Sequence, residues 1–405
     1  MYLWNSKPLP EAESQLALLV QFSSSRDGSA HSGLLVADCL REAGWQVVVV
    51  FAHNGPMIDE YRSRGFEIAI VEHRNWLRRA GWLRVFKDIG QELRAARTIM
   101  RLLRNRRAEL VYVNTMASLA AVVAARLAHV RCIWHLRELF ADVGGEMKYP
   151  RGARWLVRWA LRTLPSRLLA NSEAVAGNLL GGKHSQIVTV LHNPVSEQFL
   201  ADFPKCLARQ WRESAGYNES DWLIGIPGTL RPMKGHAFAI RALAPLLRIQ
   251  PQWKLAITGG GARGLRDELE ELVRVAGVTS QTAFLGSIPD MAGFYAACDA
   301  ICIPSVSEPF GRVVVEAMAS GRAVVATRVG GIPEIIEPNT DGFLVEYDDD
   351  HALRARINEL AAHREVAIRL GRAARAKARA GFSEVQFRAR LLPMITPTHG
   401  KSVIP

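Results

Sequence analysis

Apolar and polar positions change in blocks along this chain. Short apolar runs fall at Leu16–Phe22, Gln46–Phe51, Glu67–Val71, Leu110–Asn114, Arg131–His135, Arg167–Ala170 and Ile187–His192, and helix-period segments separate most of them. That alternation is the βαβ rhythm of a parallel, doubly wound sheet. The rhythm breaks at Asn193-Pro194, and residues 196–220 read as polar and irregular. It restarts with Leu223–Ile226, Lys254–Thr258, Thr282–Leu285, Ala300–Ile303, Ala323–Ala326 and Gly342–Val345, again with helices between. From about 351 the pattern predicts a long Ala/Arg-rich helix, interrupted at Phe382-Ser383. Ser383 can cap a last helix carrying Phe387, Leu391 and Leu392. The predicted organisation is α/β with two Rossmann-like domains, over 1–195 and 196–383, and a C-terminal helix within 384–405 that packs back on the first.

Composition supports this reading. A chain of 405 residues exceeds one usual domain, and 49% apolar with 22% charged residues is ordinary for a soluble globular protein. Glu11 and Glu13 precede the first apolar run, with no basic segment ahead of it, so a secretory signal is not expected. No run reaches the roughly 18 apolar residues of a membrane-spanning helix, and a cytoplasmic chain is expected. The five cysteines are scattered, as in a reducing compartment. Cys298 and Cys302 stand four apart, but no second pair completes a zinc set, so no metal is expected. Charge changes the picture more. Of the net +12, residues 1–195 carry +10, from 26 Lys/Arg against 16 Asp/Glu. A basic first half suggests an anionic partner.

The densest chemistry lies in Glu308-Pro309-Phe310-Gly311-Arg312-Val313-Val314-Val315-Glu316. It follows a predicted strand, at the carboxyl end where open α/β sheets bind ligands. Pro309 and Gly311 shape a turn into a helix, whose free N–H groups and dipole suit a diphosphate. Glu308 before the helix and Glu316 within it can each accept paired hydrogen bonds from vicinal hydroxyls, one holding a hexose and the other a ribose. Arg231 and Lys234 follow the first strand of the second half, and a basic pair there can neutralise a leaving diphosphate. Thr258-Gly259-Gly260-Gly261 ends another strand. Gly28 follows the first strand of the chain, where glycine lets backbone approach a ligand closely. His135 stands at a strand end with Arg137 and Glu138 beyond it. A histidine there can bond a sugar hydroxyl or carry a proton near neutral pH.

Glu-Pro-Phe-Gly with a second Glu eight positions after the first, then Ala317-Met318-Ala319-Ser320-Gly321 and Val329-Gly330-Gly331-Ile332-Pro333-Glu334, resembles the family-4 retaining glycosyltransferases of GT-B fold. The resemblance implies two Rossmann-like domains facing a central cleft, and transfer from a nucleoside diphosphate sugar to an acceptor hydroxyl with retention. It maps donor sugar contacts to Glu308 and His135, ribose to Glu316, and diphosphate to Lys234 and to backbone near Gly311 and Val313. Phe310, Arg312, Gly28, Gly259, Gly261 and Leu285 fall in the matching donor loops. The family's usual Arg after Gly228 is Thr229 here, and Arg231 is expected to supply that charge. No Asp-x-Asp metal pair precedes the donor motif, so no cofactor or metal is expected, and Asp348-Asp349-Asp350 reads as a loop before the tail helix.

Two basic segments add a partner. Residues 73–107 hold eleven Lys/Arg and two acids, with Trp76, Leu77, Trp82, Leu83, Val85 and Phe86. Residues 147–167 hold six Lys/Arg and no acid, with Trp155 and Trp159. Arginine with tryptophan on amphipathic stretches predicts contact with an anionic membrane surface, and with it a lipid-linked saccharide of a bacterial surface polysaccharide as acceptor. The plainer alternative is a solvated helix face. A nucleotide-sugar epimerase or a phosphorylase of similar fold is a second enzyme reading. A nucleic-acid-binding protein is a third, but no stacking platform or recognition motif accompanies the charge.

Overall fold

A computed structural model of the chain describes residues 15–25, 28–75, 82–140, 154–181, 187–261 and 263–397, with backbone alone over 82–89. The chain divides into two compact units. One runs to His192 and takes back the chain from Phe387; the other spans Asn193–Gln386. Each contains one all-parallel sheet.

In the first unit the elements are β1 (Leu16–Gln21), α1 (Gly28–Glu42), β2 (Gln46–Phe51), α2 (Met57–Ser63), β3 (Glu67–Ile70), α3 (Trp82–Asn105), β4 (Ala108–Val113), α4 (Leu119–Leu127), β5 (Arg131–Leu136), α5 (Arg154–Thr163), β6 (Arg167–Ala170), α6 (Glu173–Leu180) and β7 (Val188–Val190). The sheet order is β3-β2-β1-β4-β5-β6-β7. Successive residues of β1 feed opposite sides of the sheet. Leu16, Leu18 and Val20 join the core under α3 and α4, while Ala17 and Leu19 join the core under α1. A strand buried on both faces needs an apolar residue at every position, which is why these strands read as runs rather than alternations.

The second unit holds α7 (Glu197–Leu200), α8 (Lys205–Ser214), β8 (Trp222–Ile226), a 3-10 turn over Pro232–Lys234, α9 (His236–Ile249), β9 (Trp253–Thr258), α10 (Arg263–Val275), a second 3-10 turn over Thr279–Gln281, β10 (Thr282–Gly286), α11 (Met291–Ala297), β11 (Ala300–Ile303), α12 (Arg312–Ala319), β12 (Ala323–Thr327), α13 (Ile332–Ile335), β13 (Phe343–Val345), α14 (Asp350–Ala362) and α15 (Arg364–Phe382); α16 (Glu384–Ile395) follows and belongs to the first unit from Phe387 on. Its sheet order is β10-β9-β8-β11-β12-β13. All thirteen described strands lie where the apolar runs predict them, with ends differing by a residue or two.

The structure corrects the sequence reading in three places. Residues 196–220 are not irregular, because α7 and α8 occupy them. The tail also breaks at His363, between α14 and α15, before the break at Ser383. The unit boundary falls at His192/Asn193 rather than after 195. Ser383 does cap the last helix, its Oγ accepting from the Gln386 amide at 3.4 Å. In that helix Phe387, Leu391 and Ile395 are buried in the first unit's core, and the Trp45 indole N–H donates to the Ile395 carbonyl at 2.6 Å. Among the described residues no helix is long and apolar enough to cross a membrane.

Candidate active site

In the second unit the strand order reverses between β8 and β11. Connections leaving those two strands turn to opposite sides and open a crevice at their carboxyl ends. The segment after β8 carries Lys234 and the segment after β11 carries Glu308, so two residues 74 positions apart meet there. The Lys234 ammonium donates to Glu308 Oε2 at 2.5 Å. Their side chains are 19% and 10% exposed, so the pair is largely withdrawn from water. The Ser305 hydroxyl also points at Glu308 Oε2, at 3.4 Å.

The local backbone explains how the pair is held. Gly235, with φ of 69°, lets the turn over Pro232–Lys234 press on the exit of β11. A Cβ at this position would sit 1.8 Å from the Pro304 carbonyl oxygen. The Val306 amide then donates to the Met233 carbonyl at 2.8 Å, tying the two segments together. On the other side the Gly331 amide donates to the Glu308 carbonyl at 3.0 Å. Gly259, with φ of 112°, has a comparable role one strand away. A Cβ there would lie 2.1 Å from the Gly228 carbonyl oxygen, so this glycine permits the loops after β8 and β9 to touch. Gly261 packs in the same way against Leu230.

The α12 helix starts at Arg312, with Gly311 in the left-handed region before it. Helix geometry leaves the Arg312 and Val313 amides without intrahelical partners, facing the carboxyl end of β11. Val314 and Val315 are buried, which anchors this helix start against the sheet. Glu316 lies one turn in. Its Oε2 accepts from the Tyr295 hydroxyl at 3.0 Å, and its Oε1 pairs with Arg312 at 3.2 Å. Lys234 and Glu308 thus meet at the carboxyl ends of β8 and β11, and Glu316 lies one turn inside the helix that follows. Leu285 is half-buried in β10, the far edge of the same sheet. Arg231 is exposed at the start of the turn that ends in Lys234. Phe310 does not present its side chain to this crevice: its ring is buried in the core, 6.0 Å from the Phe382 ring.

In the first unit, Gly28 opens α1, while Arg26 and Asp27 lie outside the described residues. His135 is not at a strand tip. It sits inside β5, fully buried, because the strand runs one residue further. Its Nδ1 meets the Tyr112 hydroxyl at 2.7 Å and Arg137 at 3.1 Å. Its Nε2 has no partner in hydrogen-bonding geometry, although the Leu191 carbonyl faces the ring. Burial, then the Arg137 charge, hold its pKa well below the ordinary value, so the imidazole is neutral at physiological pH. Asn114 accepts from Arg137 at 2.9 Å and donates to Gln21 and to the Ser29 carbonyl, extending a polar network beneath the ends of β1, β4 and β5. Glu138 braces this loop by accepting from the Met116 and Arg137 amides. Ser172 is the N-cap of α6, accepting from the Val175 amide at 3.0 Å.

Sequence reasoning missed two residues near the second unit's crevice. Tyr295 is one; a tyrosine on a fully buried helix face needs a partner for its hydroxyl, and that was its only signal. His236 is the other, buried behind Lys234. Burial, then the Lys234 charge, push its pKa down to about 4.

Comparison with known proteins bears on both units. The model for glycosyl transferases group 1 matches residues 208–377, and the model for Glycosyltransferase Family 4 matches residues 27–199. The chain belongs to the family-4, group 1 glycosyltransferases. A D-inositol 3-phosphate glycosyltransferase of Corynebacterium kroppenstedtii is 35% identical over 193 residues, covering 45% of this chain and 43% of that enzyme. Its counterpart from Corynebacterium jeikeium is 26% identical over 331 residues, covering 79% and 70%. This family-4 chain thus spans less than half the length of the first relative it matches. Anabaena Alr3699/HepE, solved in complex with UDP, superposes with a TM-score of 0.81 at 22% identity, over 94% of this chain and 100% of that one. That likeness supports the fold: two Rossmann-like domains of GT-B type.

Proposed function

We propose that this protein transfers a sugar from a nucleoside diphosphate sugar to an acceptor hydroxyl, with retention at the anomeric carbon and without a metal ion. The observation that carries this reading is the pairing of Lys234 with Glu308 at the switch point, beside the start of α12, which carries Glu316 one turn further in. Cleaving a sugar–diphosphate bond leaves negative charge on the departing β-phosphate. The Lys234 ammonium and the α12 N-terminus are a cation and a dipole aimed where that charge develops, the task a metal would otherwise perform. Once the diphosphate engages Lys234, Glu308 is released to accept from sugar hydroxyls. The acceptor attacks from the face the diphosphate leaves, which gives retention.

The acceptor we propose is a lipid-linked saccharide of a bacterial surface polysaccharide, reached at an anionic membrane. Supporting this, α5 leaves Trp155 63% and Trp159 56% exposed, one helical turn apart, with Leu156 exposed beside them. Large apolar side chains of this kind on a basic helix suit shallow insertion among lipid headgroups. On α3 the exposed Arg94, Arg97, Arg101 and Arg104 recur at helical spacing, a basic stripe on its outer face. Trp76 and Leu77 lie outside the described residues, as do the side chains of Trp82, Leu83, Val85 and Phe86 and the segment 147–153. A soluble inositol phosphate acceptor, as the names of the Corynebacterium relatives suggest, is the second reading.

Two experiments separate these. Incubation with UDP-, GDP- and ADP-sugars and a membrane lipid extract should release nucleoside diphosphate with one donor and place label in the lipid phase. Label appearing only on a soluble acceptor would overturn the lipid reading. Flotation with anionic vesicles should recover the protein at low salt, less at high salt, and less again after Trp155→Ala with Trp159→Ala. Equal recovery with neutral and anionic vesicles, or none at low salt, would remove the membrane from the account.

A further inference from the structure

The carboxylate of Glu316 is held from two sides, and the two holds differ in kind. Arg312 reaches Oε1 at 3.2 Å from an arginine side chain that is 38% exposed, so water and ligand can displace it. Tyr295 reaches Oε2 at 3.0 Å from a fully buried ring. The nearest competing acceptor for its hydroxyl is the Val313 carbonyl, at 3.5 Å, so its single proton goes to the carboxylate. Phe199 and Phe294 meet the tyrosine ring edge-on at 5.7 and 5.6 Å and fix its plane. Burial, and then the charge of Glu316, keep this phenol protonated, so its hydroxyl has a proton to donate to the carboxylate.

A carboxylate on a flexible side chain must lose rotamer freedom before both of its oxygens can meet a vicinal diol. Here the buried tyrosine has already removed that freedom. Oε2 is anchored but retains a lone pair, and Oε1 is exchangeable. We infer that Tyr295 is a positioning residue that presets Glu316 for the two ribose hydroxyls of the nucleotide, and thereby sets selectivity for ribonucleotides over deoxyribonucleotides. This rests on the reading of Glu316 as the ribose contact.

The test measures binding by calorimetry of whichever of UDP, GDP and ADP the protein takes up, and of its 2′,3′-dideoxy counterpart, to the full chain and to Tyr295→Phe and Glu316→Gln. Tyr295→Phe keeps the ring and its packing, and circular dichroism should confirm an unchanged fold. The ribonucleotide should bind this variant about five- to tenfold more weakly, with the dideoxy compound unaffected, because its contact is already absent. Equal weakening of both compounds, or of neither, would make Tyr295 a packing residue and overturn the inference. Glu316→Gln tests the underlying reading separately: it too should weaken only the ribonucleotide. If Glu316→Gln spares the ribonucleotide, Glu316 is no ribose contact and both statements fall. If it weakens the ribonucleotide while Tyr295→Phe does not, only the role of Tyr295 falls. Failure of all three diphosphates to bind would overturn both.

Discussion

Replacing Glu308 by Gln separates the fold from the chemistry at the site. The amide keeps the shape of the carboxylate and can still accept from Lys234, so the change is one of charge. In the folded protein the charge-assisted bond at 2.5 Å becomes an ordinary one. Bonds to charged groups contribute about 1.5–3 kcal/mol and neutral ones about 0.5–1.5, so the loss is about 1 kcal/mol, discounted further by the exposed fraction of Lys234. Against a usual domain stability of about 5–15 kcal/mol the fold survives. Turnover suffers more. A charged contact to sugar hydroxyls that strengthens in the transition state is worth about 1.5–3 kcal/mol, a rate loss of roughly 10- to 150-fold. The assay is steady-state release of nucleoside diphosphate, with the melting transition followed in parallel. Turnover within about twofold of wild type would remove Glu308 from the site. Lost turnover accompanied by unfolding at assay temperature would make the pair a structural brace.

Other consequences follow from particular residues. Lys234→Ala and Arg231→Ala should each weaken nucleoside diphosphate binding by roughly tenfold in calorimetry, if Arg231 supplies the charge absent at Thr229; an effect of Lys234→Ala alone would leave Arg231 a surface residue. His236 stays neutral in the folded protein down to about pH 4, whereas an unfolded histidine takes a proton near pH 6.5, so the unfolded state binds more protons in that window and stability falls as pH drops through it. At pH 5 that loss is about 2 kcal/mol, and the melting temperature of wild type should drop more between pH 7.5 and 5 than that of His236→Met; parallel drops would contradict the buried neutral state. Leu391→Ala should destabilise the first unit by about 2–5 kcal/mol, read as a lowered melting transition, because this side chain of α16 is fully buried in that unit's core.

Much of the fold was legible because parallel strands buried on both faces leave an unbroken apolar signature. The failures have physical causes. Residues 196–220 carry two short helices, of 4 and 10 residues; α8 does have an apolar side, with Trp211 against the Phe294 ring, but its apolar positions Leu207 and Trp211 span only one turn, too short a repeat to stand out in sequence. The break at His363 was hidden because Ala- and Arg-rich sequence favours helix on both sides of it. Glu308 and Lys234 stand out in the sequence because each follows an apolar strand of one parallel sheet, so both fall at its carboxyl end, where the structure pairs them. For Phe310 the motif gives the position but not which way the ring turns, and the structure turns it into the core. His135 looked available because the strand was ended one residue early, and its bonds to Tyr112 and Arg137 come from other strand positions that no local pattern connects. Tyr295 was invisible for the same reason, since Glu316 lies 21 positions away in sequence.

Thermal unfolding in the presence of UDP-, GDP- and ADP-sugars tests the central claim most directly, because a ligand that binds only the folded state stabilises it by mass action. At a hundredfold excess over its dissociation constant the gain is about 2.7 kcal/mol, a rise of roughly 5–10 °C in the melting transition of a domain of this size. The account predicts such a rise with at least one nucleoside diphosphate sugar, and its loss in the Lys234→Ala protein. An unchanged transition across all three donor classes would contradict it.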